Sequence, residues 1–179
     1  MLNNNYSKGV IFSCIAAIFW GLPQPLFFNE LNHVKTIEVV AHRGFWSFIF
    51  LFLLLILISN LNEFIEIFKS RKRIFILTIT AFLIAGNWAG FIYSVGQERV
   101  QDASMGYFIT PMISIILGYF FLNEKITKPK LVSVCLMFSG ILFLFINLNQ
   151  FPFLIIWIGT SWAIYGLLRK QVNVNPSIG

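Results

Sequence analysis

In EVVAHRGFWS, residues 38–47, a carboxylate, an imidazole and a guanidinium crowd the mouth of the apolar run FIFLFLLLILIS. On a helix, His42 follows Glu38 by four residues and shares its face, while Arg43 is rotated by about 100°. Two chemistries are open to this group. In one, Arg43 snorkels outward to lipid headgroups and His42 bonds to Glu38. In the other, His42 and Arg43 face an outward-open cavity and meet a polar or anionic solute, with imidazole as the group that responds to pH near neutrality. Glu38 itself reads as structural, because a carboxylate in the first turn after a Thr36 cap complements the positive end of the helix dipole.

Three other stretches carry polar or aromatic groups in apolar surroundings. GNWAGFIYS, residues 86–94, holds a Gly86/Gly90 pair suited to close helix packing. It also places Asn87, Phe91 and Ser94 on one face beside Trp88 and Tyr93, and an amide in hydrocarbon must find a partner. In DASMGYFITPMISIILGYFFL, Ser104, Tyr107, Phe108, Pro111, Ile115 and Gly118 recur at steps of three and four, as one stripe. Pro111 lacks an amide hydrogen and frees the carbonyl of Tyr107, which predicts a bend beside that phenol. In FWGLPQP, Gly21, Pro23 and Pro25 predict a helix break near the outer end, with Gln24 close to the level of His42. The candidate solute-binding set is therefore Trp20, Gln24, His42, Arg43, Asn87, Trp88, Tyr93, Ser104, Tyr107, Phe108 and Pro111.

The elements that must position these residues follow from composition. The 179 residues are 58% hydrophobic, 17% aromatic and only 11% charged, with a mean hydropathy of +0.79. That is too little polar surface to cover a water-soluble globule, so the reading is an all-α polytopic membrane protein in contact with a lipid bilayer. Six apolar runs, about 8–28, 36–59, 73–95, 103–122, 130–148 and 152–168, are each near the length needed to cross about 30 Å of hydrocarbon. The first is no signal peptide, since it carries Trp20, Pro23 and Pro25 and no small-x-small cleavage site follows. With six crossings, Lys8, Lys69, Arg71, Lys72, Arg73, Lys125, Lys128, Lys130, Arg169 and Lys170 share one side, against Lys35, Arg43 and Arg99 on the other. The positive-inside rule then puts both termini in the cytoplasm, and the expected location is the plasma membrane.

The net charge of +6 is accounted for by that topology and does not indicate nucleic acid. Cys14 and Cys135 lie inside apolar runs without partner spacing, and the two histidines form no metal-ligand cluster. No acidic pair lies at membrane depth and no nucleotide site is recognisable. No catalytic site, metal or cofactor is expected, and a cavity of aromatics with a few polar groups favours transport, driven by a gradient.

An internal echo adds to this. AIFWGL, residues 17–22, returns as WAIYGL, residues 162–167, after five helices, and internal repeats are a hallmark of secondary transporters. The stretches WGLPQPLFF, VVAHRGFWS, NWAGFIYSV, ASMGYFITPMISIILGYFFLNEKI and YGLLRK resemble the RarD family within the EamA group of drug/metabolite transporters. The similarity covers nearly the whole chain and is most specific from Asn87 to Lys125. It implies ten helices in two inverted five-helix repeats, with an unidentified small organic solute bound between the halves. Residues 1–148 would then be one repeat and 149–179 the first helix of a second.

Two departures from that pattern stand out. Gly44 takes the place of a bulkier aliphatic residue after His42-Arg43. The sequence also stops at VNVNPSIG, residues 172–179, so four helices of the expected fold are absent and the sixth helix is expected to lack a packing partner. Rocking one repeat against another needs two repeats. Truncation is the favoured expectation. The alternatives to an active carrier are an inactive membrane remnant and a half-carrier completed by a partner chain or a second copy.

Overall fold

The structure, a computed structural model, describes residues 4–57, 61–146, 152–172 and 174. Those residues form eight helices: α1 (Asn4–Gly21), α2 (Pro23–Glu30), α3 (Thr36–Leu57), α4 (Leu61–Phe68), α5 (Arg71–Gly96), α6 (Val100–Leu122), α7 (Lys128–Ile146) and α8 (Phe153–Gln171). The expected span ends at 59 and 148, and nearly all of the VNVNPSIG tail, lie outside the described residues.

Among the described residues, five helical segments are long and apolar enough to cross a membrane: Ser7–Glu30, Thr36–Leu57, Arg71–Gly96, Val100–Leu122 and Lys128–Ile146. The shortest has 19 residues, about 28 Å at 1.5 Å per residue. Lipid contact explains why Phe12, Phe82 and Phe120 can be 70%, 76% and 70% exposed. Several hydroxyls in these helices turn back onto their own backbone, as Ser94 does to the Gly90 carbonyl at 2.8 Å and Ser139 to the Cys135 carbonyl at 2.9 Å. That removes the cost of an unpaired hydroxyl in hydrocarbon.

The first span is broken where its sequence predicts. α1 ends at Gly21 and α2 starts at Pro23, because Pro23 and Pro25 cannot donate to the carbonyls one turn back. α6 runs through Pro111 as one helix. An additional helix, α4, fills the connection between α3 and α5. Its Phe64 and Ile67 pack with Leu55, Ile74 and Leu77, while the Glu66 carboxylate lies 4.0 Å from the Lys69 ammonium. The N-terminus of α5 is capped by Ser70, whose hydroxyl accepts from the Arg73 amide at 3.4 Å.

The largest correction concerns residues 152–168. They fall in α8 (Phe153–Gln171), which is not one of those five segments and carries Gly159, Thr160, Ser161 and a terminal Arg169-Lys170. Far from lacking a partner, α8 is wedged between α5 and α6, with Ile155, Ile158 and Ser161 at most 1% exposed. Glycine makes the fit. A Cβ on Gly159 would lie 2.7 Å from the Gly106 carbonyl oxygen, and one on Gly106 would lie 2.8 Å from the Ile158 Cβ. α6 and α8 therefore cross almost backbone to backbone. On the other side, Trp157 and Ile158 fill the notch left by Gly86 and Gly90, and the Trp157 indole donates to the Gly86 carbonyl at 2.9 Å. The Gly86/Gly90 pair is thus a packing notch for α8.

At one end of this wedge, Asn123 caps α6 in the left-handed region at φ 54°. The next residue, Glu124, accepts a hydrogen bond from the Lys170 ammonium at 3.0 Å, with Lys130 at 3.9 Å. One carboxylate thereby joins the ends of α6, α7 and α8, and Lys170 holds it below the usual carboxylate range.

Candidate functional site

α2 and α3 each pack on α5 and leave a cavity of about 1060 Å³ between α1–α2 and α3. Its walls are two helical stripes. Ala16, Phe19, Trp20, Pro23, Gln24, Phe27, Phe28 and Leu31 face it from α1–α2, and Val39, His42, Arg43, Trp46 and Ser47 from α3. Both stripes advance by three and four residues, which is the spacing of one helix face. The α1–α2 stripe crosses the break at Leu22 without losing phase. Cavities of this size, mostly apolar with few polar groups, are the usual form of small-molecule sites.

Arg43 is the charged group of this wall. Its guanidinium carbon lies 3.9 Å from the centroid of the Trp88 ring and 5.7 Å from that of Phe28, so aromatic faces hold the cation. Among the described residues it forms no ion pair; the four that occur are Lys69–Glu66, Arg99–Asp102, Lys130–Glu124 and Lys170–Glu124. Gln24 faces the same cavity, with its side-chain carbonyl oxygen buried and without a hydrogen-bond partner. The Trp88 indole nitrogen is also buried and unpartnered.

An aromatic cluster ties the cavity to the α5–α6–α8 wedge. Trp20 lies 6.3 Å from Tyr107 and 5.5 Å from Trp162, and Tyr107 lies 6.2 Å from Trp162 and 6.1 Å from Phe91, all between ring centroids. Tilted and edge-to-face pairs at these separations are favourable. Trp162 further stacks on Tyr165 at 5.4 Å.

Of the residues singled out from the sequence, Trp20, Gln24, His42 and Arg43 come together at the cavity. Trp88 stands behind them as the platform for Arg43. Asn87 does not reach the cavity. It is fully buried, donates to the Ile158 carbonyl at 2.8 Å and to the Ser161 hydroxyl at 3.0 Å, and accepts from the Tyr107 phenol at 2.9 Å. The amide does find its partners, and they lie on α6 and α8. The stripe drawn through Ser104, Tyr107, Phe108 and Pro111 also divides. Tyr107 turns toward Asn87, whereas Ser104, Phe108 and Pro111 are exposed and line no part of the cavity. The neighbouring face of Ala103, Gly106 and Thr110 is the one buried, because only small side chains permit the close approach of α8. Tyr93 is 46% exposed and also lies away from the cavity.

Phe28, Trp46 and Ser47 of the cavity, Trp162 against its Trp20, and Ser161 beneath Asn87 were not among the sequence candidates. For Trp46 and Ser47 the signal was present, since they follow Arg43 by three and four residues. Among the described residues no group of His, Cys, Asp and Glu side chains could hold a metal ion.

Comparison with known proteins identifies a transporter family. The model of the EamA-like transporter family matches residues 7–146. A Vibrio cholerae transporter is 33% identical over 172 residues, covering 96% of this chain and 57% of the relative. The RarD protein of Salmonella typhi is likewise 33% identical, over 96% of this chain and 58% of its own length. The transporter YojE of Bacillus subtilis is 31% identical, with the same two coverages of 96% and 58%. No solved structure gives a significant match. The chain thus spans less than two thirds of the length of the curated relatives it matches, and by its match over residues 7–146 it belongs to the EamA-like transporter family.

Proposed function

We propose that this chain supplies the solute-binding half of a secondary carrier that moves a small organic solute across the plasma membrane, with no catalytic role. In this reading residues 1–148 are one five-helix repeat and 149–179 open a second. With α8 counted as a sixth crossing beside the five apolar spans, ten basic residues fall on one side against three on the other, which supports cytoplasmic termini. The observation that carries the proposal is Arg43, a half-buried guanidinium on a mostly apolar cavity wall, held by the rings of Trp88 and Phe28 and free of ion pairs among the described residues. A cation is retained in such surroundings where it meets a substrate, a partner or the headgroups. Its position at a cavity with Gln24 and His42 favours the substrate.

The test uses a form of the protein that carries both repeats, reconstituted in vesicles and assayed for efflux of a panel of small organic solutes that includes anionic, neutral and cationic members. At least one solute should leave faster than from protein-free vesicles. Arg43→Lys keeps the charge but not the planar fork or the stacking face. It should insert normally and lose most of that flux, with Glu38→Gln nearly silent. Flux indistinguishable from protein-free vesicles, or flux unchanged in Arg43→Lys, would overturn the proposal.

A further inference from the structure

We infer that the cavity between α1–α2 and α3 takes an organic anion with a flat apolar body, a carboxylate set on Arg43 and a hydrogen-bond donor set on Gln24. The assignment rests on the carrier reading above, since it names the solute class for the same cavity.

Charge comes first. Among the described residues lining the cavity, Arg43 is the only Lys or Arg, and none is Asp or Glu. The guanidinium presents one face to the Trp88 ring at 3.9 Å, and stacking of this kind leaves the N–H edge of the fork free. A planar fork with a free edge matches a carboxylate through two parallel hydrogen bonds, stronger than neutral ones and stronger again away from water. A cationic solute would meet like charge here, and a neutral one would leave the fork unpaired.

Polarity narrows the choice. The buried Gln24 side-chain oxygen has no donor, and an unpaired buried acceptor costs free energy that a ligand N–H or O–H would recover. Shape completes it. Phe19, Trp20, Phe27, Phe28 and Trp46 bring five aromatic rings to the lining, which suits stacking against a flat ring and offers little to a sugar or a polyamine.

Three probes separate these contributions: indole-3-acetate, its neutral isostere indole-3-acetamide, and 1-naphthaleneacetate, which keeps the carboxylate and lacks the ring N–H. Binding is measured by equilibrium dialysis with the intact chain in lipid nanodiscs, so that no flux is required. Indole-3-acetate should bind saturably and at least tenfold more tightly than the amide, with 1-naphthaleneacetate between them. Arg43→Gln should remove the preference for acetate over amide, and Arg43→Lys should retain part of it. The acid/amide comparison in the unaltered protein stands even where a variant fails to fold. Equal binding of acid and amide would overturn the inference, as would an acid preference that survives in a folded Arg43→Gln. The same holds for an acid preference seen in zwitterionic discs and lost in discs with anionic lipid, which would assign Arg43 to a headgroup. Acid-selective binding without transport in the two-repeat form supports the binding site and counts against the carrier reading alone.

Discussion

The α5–α6–α8 wedge and the α1–α2/α3 flank are built from similar helices and held by different means. In the wedge, backbones meet through Gly106 and Gly159, and the buried amide of Asn87 joins three helices by hydrogen bonds of 2.8 to 3.0 Å. In the flank, Gly21 and Gly44 have nothing within 4 Å of where a Cβ would be; the Arg43 guanidinium over the Phe28 ring reaches from α3 to α2, and Trp20 joins α1 to Tyr107 through their rings. Helices in a bilayer gain little from burying apolar surface against one another, so close packing and interhelical hydrogen bonds decide which pairs are fixed. The wedge has both. The flank has few of either, and that leaves room for a ligand.

The sharpest way to break this contrast is to make the same change in both regions. Gly159→Ala pushes a methyl against backbone, which cannot yield as a flexible side chain would, and should destabilise the protein by about 3 kcal/mol or prevent assembly. Gly44→Ala, in open space on α3, should be neutral or stabilise by about 0.5 kcal/mol through helix propensity. Unfolding in mixed micelles compares the two, and equal effects would remove the distinction.

Next in size is Asn87→Leu, which removes three hydrogen bonds worth about 0.6 kcal/mol each in a membrane interior, or about 2 kcal/mol together. Gln24→Leu, by contrast, removes an amide whose oxygen is already unpaired, and the same unfolding assay should register about 0.5 kcal/mol or less.

Accessibility sharpens the comparison further. In a background lacking Cys14 and Cys135, a cysteine replacing cavity-lining Ser47 should react with a small charged thiol reagent. One replacing buried Ser161 should react at least about tenfold more slowly, because it must wait for local opening. Equal protection of both would mean that lipid, and not water, fills the cavity.

The smallest effect lies at the Glu124 junction. Its carboxyl is held below the usual range by the hydrogen bond from Lys170, so its stabilising contribution is present above the unfolded value of about 4.3. That contribution is lost as pH falls through the lower folded value. Hydrogen exchange at the C-terminal turn of α8 should therefore rise, after correction for intrinsic rates, only at acid pH. Glu124→Gln should show the raised exchange already at neutral pH and no further acid step.

Much of the flank was legible in the sequence because its signals are local. FWGLPQP contains its own helix break, and the positions from Arg43 to Ser47 contain their own face. Asn87 was legible as an amide in need of partners, but Ile158 and Ser161 are 71 and 74 residues away, and nothing local points to them. For the stripe through Ser104, Phe108 and Pro111, periodicity finds a face without saying what it meets, and in the structure these side chains are exposed. α4 went unseen as a helix, since its eight residues are too few to register as a span.

The sequence by itself determined the bilayer as solvent, the apolar spans, the first break and the family, since each depends on composition or on neighbours within a turn or two. Only the tertiary structure decided that α8 packs between α5 and α6, that Asn87 serves the fold, and that Arg43 rests on Trp88. Those outcomes depend on which glycines meet across helices far apart in the chain, and close approach of two backbones is a property of the pair.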